Sequence, residues 1–189
     1  MNKPGYGTTA GWTAPIGALL EADLLPRDEC NRAASAAQFF SEACVPGAGD
    51  YRQNANTSGA DVLCRACGGV DGSGDHACER GGMERYEGEG GAFRCLVEGK
   101  GDVAFVNHYT PFVFTDGRSS DFWARGLRSD QFRLLCKEGG QAMVTQYERC
   151  NLAKVPTAFV VGSENMDQGQ RDDALHVLTA LSDTFTRFG

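Results

Sequence analysis

Apolar residues in this chain gather in short clusters separated by polar, glycine-rich stretches. Pro15-Ile16-Gly17-Ala18-Leu19-Leu20 follows a Gly/Thr-rich turn and predicts a helix. Ala33 to Phe40 is built of good helix formers and predicts a second, with Phe39 and Phe40 as its apolar end. Residues 46–91 have few apolar residues and three cysteines, so they predict a loop held by disulfides rather than by a core. Phe93-Arg94-Cys95-Leu96-Val97 and Val103-Ala104-Phe105-Val106 read as short strands around the turn Glu98-Gly99-Lys100-Gly101-Asp102.

Ser129 to Cys136 opens with a capping residue and carries Phe132, Leu134 and Leu135, which predicts a short helix. Ala158-Phe159-Val160-Val161 is a nearly continuous apolar run, the pattern of a buried strand. Ala174, Leu175, Leu178, Leu181, Phe185 and Phe188 recur at helical spacing and predict a last helix. Strands alternating with helices give an α/β class with a mixed sheet flanked by helices.

Composition narrows the class. Among 189 residues there are 25 glycines, about double the usual share of roughly 7%. They follow no period, which excludes collagen and a flexible linker. Net charge is −7 and the basic residues are scattered, so nucleic acid is not an expected partner. No apolar run approaches the roughly 18 residues that span a bilayer. Eight cysteines spread along the chain suggest an oxidising compartment. Asn56-Thr57-Ser58 is a glycosylation acceptor in a polar loop and points the same way. Met1-Asn2-Lys3-Pro4-Gly5 is no signal peptide. A disulfide protein opening like this is expected to be a fragment of a longer one.

Cys64, Cys67, His76 and Cys78 have ligand chemistry for tetrahedral zinc, yet Cys44 nearby gives four thiols and hence two disulfides in the same loop. A Cys-x-x-Cys redox role needs a strand-to-helix junction, and this pair sits among glycines. The three histidines, His76, His108 and His176, lie in no hydrolase or metalloprotease motif. His108 beside Tyr109 is the one suggestive pair, and no enzyme activity is expected. Thr8-Thr9-Ala10-Gly11 at a helix start offers backbone N–H groups to an anion.

Seven segments in order resemble a lobe of the transferrin family, most closely the C-terminal lobe of its melanotransferrin branch. They are 9–17 (Thr-Ala-Gly-Trp-Thr-Ala-Pro-Ile-Gly), 39–46 (Phe-Phe-Ser-Glu-Ala-Cys-Val-Pro), 63–67 (Leu-Cys-Arg-Ala-Cys), 91–97 (Gly-Ala-Phe-Arg-Cys-Leu-Val), 101–106 (Gly-Asp-Val-Ala-Phe-Val), and the shorter Leu134-Leu135-Cys136 and Cys150-Asn151-Leu152-Ala153. The resemblance covers almost the whole chain. It implies a fold like the type II periplasmic binding proteins, with the second subdomain at about 1–157 and a return toward the first at about 158–189. It also implies an extracellular iron-carrier ancestry: Fe(III), bound with carbonate in a cleft between two subdomains. Hard Fe(III) prefers anionic oxygen ligands, and a dianion needs a cation and N–H donors.

Mapped onto this chain, the family's second-subdomain tyrosine ligand falls at Glu89 and its hinge-strand histidine at Ala158. The anion-binding arginine and threonine fall at Thr8 and Pro4, and the lysine of pH-triggered release falls at Asn107. Only the backbone part of the anion site, Ala10 and Gly11, keeps its family character. The resemblance therefore implies a lobe with its iron ligands replaced, kept as a structural or interaction module, with no cofactor. The alternative is a cleft rebuilt for another metal ion, at Glu89, or for a small ligand.

The resemblance further implies the pairs Cys44–Cys67, Cys64–Cys78 and Cys136–Cys150. Cys95 would pair with position 2, where Asn2 stands, and the partner of Cys30 lies beyond the fragment. Implied partners are the first subdomain of the same lobe, a companion lobe and a cell-surface receptor.

Overall fold

A computed structural model describes residues 5–26, 31–55, 57–155 and 161–188, with side chains described through residue 180. The chain divides into two compact units, Met1–Val155 and Pro156–Gly189.

The first unit begins with a π turn, Thr9–Thr13, that runs into helix α1, Ala14–Glu21. The Thr8 carbonyl accepts from both Trp12 N–H at 3.0 Å and Thr13 N–H at 2.8 Å, which widens this first turn. Pro15 sits near the start of α1, where its missing N–H costs nothing. Trp12 and Ile16 are buried and meet Leu25, Ala33, Ala36, Ala48 and Leu63 in one core. Helix α2, Arg32–Phe39, is capped by Asn31, whose side-chain oxygen accepts from Ala33 N and Ala34 N. Its inner face is small (Ala33, Ser35, Ala36), and the short helix α3, Ala60–Leu63, packs close against it. Gly59 makes this approach possible. Its φ is +76°, and a Cβ there would stand 2.7 Å from both Ala33 O and Ala37 Cβ.

Apart from α3, the described residues between 41 and 87 are turns and loop, with no strand among them. Cys44–Cys67 and Cys64–Cys78 cross-link this stretch. At its centre the Glu84 carboxylate, in a residue 2% exposed, accepts four backbone N–H groups: Gly68, Gly69, Cys78 and Tyr86, at 2.9–3.1 Å. That carboxylate does locally what a small hydrophobic core would do elsewhere.

Helix α4, Gly88–Val97, covers the stretch 93–97 expected to be a strand. Five residues with one aromatic and two aliphatics fit either period, and packing decides. Phe93 turns inward, 2% exposed, against Phe132 at 4.7 Å and within 6.4 Å of Phe114 and Trp123. Arg94 and Glu98, one helical turn apart, pair at 2.6 Å. Gly90 lets the Phe114 ring approach: a Cβ there would lie 2.5 Å from it.

Residues 103–107 are extended but join no ladder among the described residues. Helix α5 follows at Thr110–Phe114. The helix expected over 129–136 is a single 3-10 turn, Ser129–Gln131, and then strand β1, Arg133–Leu135. The cap is not Ser129, which is the first residue of the turn; Arg128 holds the cap position, and Gln131 Oε1 accepts from its N–H at 2.8 Å. Phe132 leaves the turn for the Phe93 cluster, and the next three residues pair antiparallel with β2, Gln141–Met143. Cys136–Cys150 closes this region.

The α/β class stands with helix and a small sheet. The mixed sheet does not: among the described residues the sheet is this one hairpin. In the second unit, α6 spans Gln168–Phe188, six residues longer at its start than the apolar spacing shows, because Asp167 caps Gln170 N–H at 2.8 Å. Of the strand expected at 158–161, only Val161 falls within the described residues, and it is 89% exposed.

Candidate functional site

Helix α4 sets the position of Glu89 in its first turn, where a carboxylate complements the helix dipole. The side chain is half-buried and fully engaged. Oε2 accepts from the Asn107 main-chain N–H at 2.8 Å and from the Thr110 hydroxyl at 3.2 Å, while Oε1 accepts from Asn107 Nδ2 at 2.5 Å. Thr110 is fully buried at the start of α5, so its hydroxyl depends on this acceptor. The extended segment 103–107 delivers Asn107, and two helices deliver the rest. The result is a polar clasp joining α4, this segment and α5. These three donors take most of the roughly four acceptor sites that a carboxylate offers.

The turn at Thr8–Gly11 carries no charge. The Thr8 hydroxyl is spent on Gly5, accepting its N–H at 3.1 Å and donating to its carbonyl at 2.8 Å. The N–H groups of Thr9, Ala10 and Gly11 find no acceptor among the described residues. A surface groove of about 380 Å³ runs beside the turn from Thr9 to Lys137 and Lys154. The Lys137 ammonium is paired with Glu21 at 2.7 Å. No hydrogen bond or ion pair joins this turn to Glu89 among the described residues. Pro4, Cys30, Asn56 and Ala158 lie outside the described residues.

The zinc arrangement does not form. Cys64 and Cys67 bond to different partners, and His76 is exposed and paired with Glu79 at 3.0 Å. The sulfurs of Cys44 and Cys67 and an oxygen of Glu84 do lie within 4.8 Å of one another, but the sulfurs are joined as a disulfide. His108 stacks on Tyr147, ring centroids 4.4 Å apart, and meets the Tyr109 ring edge-on at 5.8 Å. His176 is exposed on α6. Cys95 is a free thiol, and burial, with the Glu84 and Glu98 carboxylates, pushes it up to about 11.

Sequence reasoning missed Glu84, Thr110 and the bond from Tyr86 Oη to Glu98 at 2.7 Å. The signal available was an acidic residue inside the glycine-rich stretch 81–91, where only a buried acceptor can serve so many free N–H groups.

Compared with known proteins, the chain matches the family model described as Transferrin over residues 2–188. This chain belongs to the transferrin family. Human melanotransferrin is 42% identical over 165 residues, covering 87% of this chain and 21% of the relative. A transferrin of Blaberus discoidalis is 39% identical over 188 residues, 97% of this chain and 26% of the relative. Otolith matrix protein 1 of Danio rerio is 42% identical over 159 residues, 84% of this chain and 43% of the relative. The chain thus spans well under half the length of these transferrin relatives. The family is one of iron carriers, and the three bridges among the described residues, Cys44–Cys67, Cys64–Cys78 and Cys136–Cys150, are the pairs expected from the resemblance. No helix among the described residues is long and apolar enough to cross a membrane.

Proposed function

We propose that this chain is the second subdomain of an extracellular transferrin lobe, about residues 1–157, with 158–189 leading back toward the first subdomain. In this reading the lobe no longer holds iron or carbonate and is kept as a structural and interaction module. It takes no cofactor and catalyses no reaction. Its partners are the missing first subdomain, a companion lobe and a cell-surface receptor.

The observation that carries the reading is the Glu89 clasp. The residue at the tyrosine-ligand position has its carboxylate bound by Asn107 and Thr110. Asn107 in turn stands at the release-lysine position, so two former functional positions now satisfy each other. The same conclusion comes from charge. Thr8 stands where the resemblance implies the anion-binding arginine, and a carboxylate beside a carbonate would repel it. A cleft rebuilt for another cation would first have to pull Glu89 from three donors.

The test uses the full parent protein, with both subdomains of this lobe, titrated with Fe(III) and bicarbonate. If the companion lobe binds iron, its ligands are removed by substitution first. The expected result is no visible phenolate-to-iron charge-transfer band from this lobe. A band with one equivalent of Fe(III) bound overturns the proposal.

A further inference from the structure

The three disulfides among the described residues stand in different surroundings. Disulfides open when a thiolate attacks one sulfur and expels the other as a thiolate, so access and local charge set the rate. Cys44 and Cys67 are half-buried, and the Glu84 carboxylate lies within 4.8 Å of both sulfurs. Four backbone N–H bonds hold that carboxylate in place, so it cannot swing away. An incoming thiolate and a departing one are both repelled there. Cys64–Cys78 is sealed at both ends by the apolar core, of which Cys78 is a buried member and against which Cys64 packs, and the Cys78 sulfur lies 3.3 Å from the Val45 carbonyl.

Cys136–Cys150 differs. Cys136 lines an open surface groove of about 340 Å³ in which Lys137, Arg149 and Lys154 face Glu138 and Glu148. Mixed charge leaves the groove without a strong preference for the sign of a reagent. Cys150 is 4% exposed, so attack falls on Cys136 and Cys150 departs.

We infer that Cys136–Cys150 is the redox-labile bridge of this chain, and that Glu84 keeps Cys44–Cys67 inert toward thiols. A thiolate bonds to Cys136 Sγ and expels Cys150 as a thiolate, which takes a proton from water. A second thiolate attacks the reagent sulfur of the mixed disulfide and frees Cys136. Two reagent thiols become one disulfide, and two electrons pass to the protein. Opening this bridge uncouples residues 150–155, the last of the first unit, from the β1–β2 hairpin. The loop locked around Glu84 stays closed. The chain therefore carries a thiol-sensitive staple at the end of its first unit.

The experiment is timed reduction of the native chain with three monothiols: cationic cysteamine, neutral 2-mercaptoethanol and anionic 3-mercaptopropionate. All are used at equal thiolate concentration. Released cysteines are trapped by alkylation and located by peptide mass spectrometry. Cys136 and Cys150 are expected to label first with every reagent, at rates within about twofold of one another. Cys44 and Cys67 are expected last, slowing at least about fivefold from the cationic to the anionic thiol. Another bridge opening first, or a Cys44–Cys67 rate as indifferent to reagent charge as that of Cys136–Cys150, overturns the inference. No variant is needed, so misfolding cannot blur the outcome.

Discussion

Asn107 grips Glu89 at both ends of its carboxylate, with its main-chain N–H on Oε2 at 2.8 Å and its side-chain Nδ2 on Oε1 at 2.5 Å. A lysine at position 107, which the resemblance implies for some family members, would bring a charge but not this two-point fit. Hydrogen bonds to a charged group contribute about 1.5–3 kcal/mol each when buried, less when half-exposed. Asn107→Ala removes the side-chain bond and keeps the main-chain one. It is expected to lower stability by about 1–2 kcal/mol in urea unfolding. A loss under about 0.3 kcal/mol would show the clasp to be incidental.

Gly59 supports the core that positions the first unit. Its backbone is left-handed, and an added Cβ meets main chain at Ala33 and the side chain of Ala37. Neither can yield without moving α2. Gly59→Ala is expected to cost more than about 2 kcal/mol, from strain and overpacking together. Thermal unfolding followed by circular dichroism checks this, with Gly74→Ala as comparison, where φ is +92° but no atom lies within 4 Å.

Tyr86 gives the fold an alkaline limit. Burial, then the hydrogen bond to Glu98, push its hydroxyl up to about 12 from an ordinary 10.0. The folded state therefore holds this proton where the unfolded chain has released it. The resulting stabilisation is whole below pH 10 and is lost as pH rises through 12. Unfolding free energy measured from pH 8 to 11.5 is expected to fall more steeply in the wild type than in Tyr86→Phe. Parallel curves would reject the assignment.

Cys95 should be nearly inert despite being free. At pH 8 a thiol with a pKa of about 11 is almost wholly protonated, and only the thiolate reacts. Its alkylation by iodoacetamide, read at the peptide level, is expected to run on the order of a hundredfold slower than a solvent-exposed cysteine's. Labelling at the rate of an open thiol would mean that the thiol is neither buried nor repelled as described.

Much was legible in the order of residues. Segments such as Thr9–Gly17 and Phe39–Pro46 identify the family, because each combines a turn glycine, a cysteine or a proline with apolar neighbours at fixed spacing. Helices α1, α2 and α6 were legible because several turns of one period, or a run of strong helix formers, leave little choice.

The short elements were not legible. Phe93–Val97 fits strand or helix, and the neighbours Phe114, Trp123 and Phe132, distant in sequence, select the helix. Ser129–Cys136 starts as a helix by every local sign, yet the partner strand Gln141–Met143 takes its second half. The sequence by itself determined the family and the long helices, because those depend on local pattern and on chemical identity. Only the tertiary structure decided what Glu84 and Glu89 do. The residue type gives a carboxylate in a glycine-rich stretch only its capacity to accept, and the positions of the donors around it decide which groups of its own chain it takes.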